Sequence, residues 1–129
     1  MKTPQEELFI LCRRIAAEII GEKNTFDYLP PASTNYPFFF IGEQSSRDLV
    51  NKSTVFSEVT QTVHLYNNDW KKRGTTSELA LKFIEKMREQ EKTEHFYINI
   101  KNLRLRNIVD NSTKTQLLHS VIEIEIIMY

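Results

Sequence analysis

Three histidines, His64, His95 and His119, are the residues of this 129-residue chain best suited to acid–base or metal chemistry. They lie far apart in sequence and share no metal-ligand spacing, which favours structural or surface roles. His119, Glu123 and Glu125 fall on one face of a single strand. Same-face neighbours there stand ~6.6 Å apart, so the three do not close on one ion without long side chains bending together. Glu78, Glu85 and Glu89 lie on the solvent side of a helix, where no catalytic carboxylate pair is marked. The chain has no GxSxG, no CxxC and only three glycines, too few for a phosphate-cradling loop. The single Cys12 sits on the apolar stripe of a helix and reads as a buried small hydrophobe. These residues predict neither an enzyme nor a bound cofactor or metal.

One local charge feature stands out, the tip Asp69-Trp70-Lys71-Lys72-Arg73. Trp70 beside three cations fits a protein interface, since tryptophan and arginine are enriched at binding hot spots. The same residues could stack on and neutralise nucleic acid, or remain solvated while Trp70 covers a helix start.

The elements that position these residues follow from periodicity. Thr3, Pro4 and Glu6-Glu7 open a helix whose stripe is Leu8, Leu11, Cys12, Ile15 and Ile19, closed by Gly21. Residues 22–36 form a loop pinned by Phe26, Tyr28 and Leu29. Pro37 to Gly42 is a strand apolar on both faces, suited to a central place or to meeting another subunit. Glu43 to Thr54 is polar and reads as a long loop, of a length uncommon unless functional. Val55 to Tyr66 alternates, with Val59, Val63 and Leu65 on one side and Thr60, Thr62, His64 and Tyr66 on the other. Thr75 and Glu78 form a capping box for a helix reaching about Gln90, buried through Leu79, Ala80, Phe83, Ile84 and Met87.

His95 to Arg106 is a strand whose alternation changes parity near Lys101-Asn102, which predicts a bulge. Gln116 to Tyr129 is the last strand, with Leu118, Ile122, Ile124, Ile126 and Met128 on its core face. The order α-β-β-α-β-β predicts a single α+β domain over residues 1–129. Its one antiparallel or mixed sheet of about four strands is backed by two helices.

Seventeen basic and seventeen acidic residues cancel, which disfavours a free-standing nucleic-acid binder. No stretch approaches the roughly 20 apolar residues of a membrane helix, and MKTPQEEL does not open a signal peptide. The chain is expected to be cytosolic where it is made.

The proline-led strand closing on Ile41-Gly42-Glu43, the strand and tip Val63-His64-Leu65-Tyr66…Trp70, and the Leu118-His119 pair opening an apolar last strand carry a resemblance. Together with the N-terminal helix and the order of elements, they resemble the tail-completion proteins of long-tailed bacteriophages. These are the tail-terminator or tail-to-head joining proteins, in the branch from phages and prophages of Gram-positive hosts. The resemblance implies an α+β domain assembling as a hexameric ring that caps the tail tube and meets the head-side connector. Its partners would be further copies of itself, the tail tube protein and a neck protein, with DNA at most passing through the lumen. It would reside in the virion, and in the host cytoplasm during assembly. The basic character of the tip departs from that pattern. Arg47, Asp48, Trp70, Lys71, Lys72 and Arg73 are the interface candidates. The alternative is a small cytosolic immunity- or inhibitor-type module that binds one protein.

Overall fold

The structure, a computed structural model, describes residues 2–31, 33–50, 55–68, 73–111 and 116–129, without the side chains of residues 49, 50 and 55. Helix α1 spans Pro4–Ile20. Its start is built as the residues dictate: the Thr3 hydroxyl accepts from the Glu6 N–H at 3.1 Å and Pro4 occupies the first turn. Its end is Gly21, whose φ of 91° suits a residue without Cβ. A short 3-10 turn, Glu22–Asn24, leads into β1, Thr25–Phe26. Then come β2 (Phe38–Val50), β3 (Val55–Asn67), α2 (Arg73–Arg88), β4 (Ile98–Asp110) and β5 (Leu117–Met128).

These strands form one mixed sheet in the order β1-β2-β3-β5-β4. All its long pairs are antiparallel, and β1 adds a two-residue parallel pair, Thr25 and Phe26 against Phe39 and Phe40. Both helices cover one face, α1 over β2 and β3, α2 over β3 and β5. The core lies between them, where Leu8, Ile15, Phe39, Leu65, Phe83 and Ile124 are almost fully buried. Burial of such side chains contributes about 1.5–3 kcal/mol each.

Several expectations need correction. Among the described residues the sheet has five strands because the 22–36 loop contributes β1, too short to leave a periodic signal. In that loop Phe26 packs on Phe38 and Tyr28 meets Phe26 edge to face, but Tyr28 and Leu29 are both largely exposed and only Phe26 anchors the loop to the sheet. The long polar loop from Glu43 is a strand as far as Val50. Its residues pair with β3 from Gln44 opposite Gln61 to Val50 opposite Val55. Main-chain pairing holds this arm, so its polar side chains gave no apolar alternation to read. Helix α2 starts at Arg73, which places Thr75 inside the helix instead of at its cap. The predicted bulge in β4 is present, between Ile100 and Asn102.

Candidate functional site

The sheet face away from the helices carries the strongest concentration of polar and aromatic groups, and a bulge in β2 organises it. The β2–β3 ladder runs in register to Ile41 opposite Val63 and resumes at Gln44 opposite Gln61. Gly42 and Glu43 therefore stand against the single residue Thr62, one residue of extra length on β2. Strict alternation would send Glu43 to the helix side with Phe39 and Ile41; the bulge turns it to the open face instead. Gln61, fully buried, closes the gap in the ladder. Its amide nitrogen donates to the carbonyls of Gly42 (3.2 Å), Glu43 (3.3 Å) and Thr62 (2.9 Å), and its oxygen accepts from Gln44 at 2.9 Å.

With Glu43 turned outward, a chain of three groups forms. Glu43 Oε1 lies 2.6 Å from His64 Nε2, and His64 Nδ1 lies 2.7 Å from His119 Nε2. With both rings neutral the direction of donation is set, because a carboxylate only accepts. His64 Nε2–H donates to Glu43, His64 Nδ1 accepts, and His119 Nε2–H donates to it. Gly42 makes room for this arrangement: a Cβ there would stand 2.8 Å from His64 Cδ2. Rings stack around the chain. Phe40 lies over His64 at 5.4 Å, Tyr66 over His119 at 4.1 Å and Phe38 over Tyr66 at 5.2 Å.

The electrostatics follow from burial and these bonds. Loss of hydration, and then the neighbouring His64, push His119 down to about 4, so it is neutral at pH 7. The hydrogen bond from His64 holds the Glu43 carboxyl below its usual range. Burial, and then the charges of Asp110 and Glu43, push Tyr66 up. Chemically the chain can orient its rings and conduct a proton along its bonds. No hydroxyl or thiol joins its hydrogen bonds among the described residues, and no cluster there is arranged to hold a metal ion. Cys12 is buried in α1 away from this face, and burial pushes its thiol up to about 12.

His95 is elsewhere. Its backbone N–H and ring Nδ1 both meet the buried Glu7 carboxylate at 2.8 Å, and the Thr93 hydroxyl donates to the same carboxylate at 2.8 Å. Burial pushes Glu7 up, but the bonds from His95 and Thr93 outweigh it and hold the carboxyl low. This cluster ties α1 to the segment entering β4.

The interface candidates that fall among the described residues, Arg47, Asp48 and Arg73, do not form one site. Arg47 reaches Glu58 at 3.2 Å on the open face, where Lys101 meets the other carboxylate oxygen at 3.5 Å. Asp48 accepts from the Ser57 hydroxyl at 3.1 Å. Arg73 opens α2 and lines a pocket of about 150 Å³ with Thr76, Ser77, Asn107 and His119. Trp70, Lys71 and Lys72 lie outside the described residues. Ser57, beside Asp48, and Asn67, at the end of β3, are roughly 30 Å apart at strand rise, so the Arg47–Asp48 arm and Arg73 are separate surfaces. The pairing of His64 with His119 was not legible from spacing. Their shared solvent-side parity on two strands was legible, but the register that makes those strands neighbours was not.

No protein-family model and no curated protein matches the chain. Among solved structures it is similar to a chain of the virion of a native gene transfer agent particle. The TM-score is 0.63 at 11% identity, over 96% of this chain and 94% of that one. At that identity the likeness is one of fold, extending over nearly the whole of both chains.

Proposed function

We propose that the chain is a structural protein of a phage-like virion, acting at the head–tail junction as a ring that caps the tail tube and meets the head-side connector. The observation that carries this reading is the fold likeness to a virion chain across nearly all of both chains compared. The residues support an assembly role over a reaction. The polar chain Glu43–His64–His119 is spent on packing the open sheet face, and the stacked rings around it make that face stiff and amphipathic. No helix is long and apolar enough to cross a membrane among the described residues. Function by assembly needs no cofactor; its partners are further copies of the chain, six in the ring, the tail tube protein and a neck protein.

The test is a capping assay. A phage tail tube protein is allowed to polymerise with and without this chain, and tube lengths and ends are measured by electron microscopy. Shortened tubes carrying a distinct terminal ring are expected. Unchanged lengths and bare ends would sink the reading.

A further inference from the structure

The open face of the sheet carries a set of titratable groups that assembly alone does not require. Glu43 on the β2 bulge, His64 on β3 and His119 on β5 form one hydrogen-bonded line across three strands, with steps of 2.6 and 2.7 Å. Its two ends differ. The Glu43 side chain is 71% exposed at the rim, while His64 is 11% exposed and has both ring nitrogens engaged. At the far end His119 Nδ1 makes no hydrogen bond to a described residue, and the ring lines the pocket beside Arg73. Other charged and titratable groups stand around the pair. Arg106 and Asp110 flank Ile108, the β4 residue opposite His119; Glu123 of β5 pairs with Thr62, two residues from His64; Tyr66 of β3 stacks on His119. Among these described groups only Glu43 is hydrogen-bonded to either ring.

We propose that His64 and His119 take up a single proton as one unit, that its charge comes to rest on His64, and that the resulting ion pair with Glu43 clamps the β2 bulge onto β3. With both rings neutral, the proton between them belongs to His119 Nε2 and His64 Nδ1 accepts it. An added proton then has one free site on the two rings, His119 Nδ1. Were the charge to stay there, it would lie a whole ring away from the carboxylate. Passing the bridging proton across the 2.7 Å gap to His64 Nδ1 sets the imidazolium directly against Glu43 at 2.6 Å, and leaves His119 neutral with its proton on Nδ1. Both hydrogen bonds survive the transfer. His64 now donates at each nitrogen, to Glu43 and to His119 Nε2, and the bond to Glu43 joins opposite charges, the stronger kind. A second proton finds no such place, because two N–H groups would then face each other across the 2.7 Å gap. The line tightens with one proton and breaks with two. This property belongs to the single chain and holds whether or not it assembles.

The experiment is an acid titration of the full chain carrying isotope-labelled histidine, read by NMR spectra that distinguish Nδ1–H from Nε2–H. Both rings should begin with the proton on Nε2. At one shared midpoint His64 should become protonated at both nitrogens while His119 switches to Nδ1–H. Across that step the amides of residues 44–48 that pair with β3 should exchange more slowly, after correction for their intrinsic rates. Glu43→Gln keeps an oxygen that can accept from His64 and removes the charge; at the exposed rim it should leave the fold intact, which circular dichroism checks. In that variant the proton affinity of the pair should drop about tenfold or more, and the slowing at 44–48 should vanish. Separate midpoints for the two rings, an imidazolium at His119 beside a neutral His64, or an unchanged affinity in Glu43→Gln would overturn the shared proton. Exchange at 44–48 that does not slow in the wild-type chain would overturn the clamp.

Discussion

His64 and His119 face each other from neighbouring central strands with Nδ1 and Nε2 only 2.7 Å apart, a separation that two imidazolium rings cannot share. The consequence is a defined dependence on acid. His119 titrates at about 4 in the folded chain against an ordinary 6.5, so between those values the unfolded chain binds a proton that the folded chain refuses. Stability should therefore fall as pH drops from 6.5 toward 4. Below about 4.5 the carboxyls of Glu43 and Glu7, held low in the fold, add to the loss as they protonate. Urea unfolding at a series of pH values measures this, and His119→Phe, which keeps a ring beside Tyr66, should flatten the slope above pH 4.5. An unchanged slope in that variant would show that His119 is not its source.

Gly42→Ala tests the close approach of β2 to the histidine ring. The new Cβ would lie 2.8 and 2.9 Å from two atoms of the His64 ring, which is packed against Phe40 and His119 and cannot simply swing away. Overpacking of this kind typically costs about 1–3 kcal/mol. The variant should be destabilised by that amount, and the imidazole resonances of His64 and His119 should both move in NMR spectra.

Gln61→Leu keeps a similar volume and removes the plug of the β2 bulge. The carbonyls of Gly42 and Glu43 then lose their amide donor. Leaving buried polar groups unsatisfied costs about 1–3 kcal/mol each, so a loss of roughly 2–3 kcal/mol is expected in denaturant midpoints. A near-neutral result would mean that water replaces the amide.

Glu7→Gln should lower the melting temperature although it preserves size. The carboxylate accepts from the Thr93 hydroxyl, the His95 backbone and the His95 ring at once, and an amide with one oxygen cannot. Hydrogen exchange should quicken first in the segment between α2 and β4.

Cys12 should resist alkylation in the folded chain at pH 8, because burial raises its thiol to about 12 and denies access. Labelling should then follow global unfolding. Rapid labelling without denaturant would show that α1 detaches on its own.

The sequence by itself determined the layers of this protein. The apolar stripe of α1 and its caps Thr3 and Gly21, the alternation of β3 and β5, and the parity change in β4 are local patterns. Each is set by the 3.6- or 2-residue repeat that buries one face, and the structure keeps each of them. What only the tertiary structure decided depends on register. The β2 arm is held by main-chain bonds to β3, which polar side chains neither announce nor forbid. The meeting of Glu43, His64 and His119 needs the bulge at Gly42 and the insertion of β5 beside β3, two facts about pairing across long stretches of chain. A one-residue slip in either ladder would send those side chains to opposite faces. For that reason residue types could nominate the histidines, but only the folded sheet could join them.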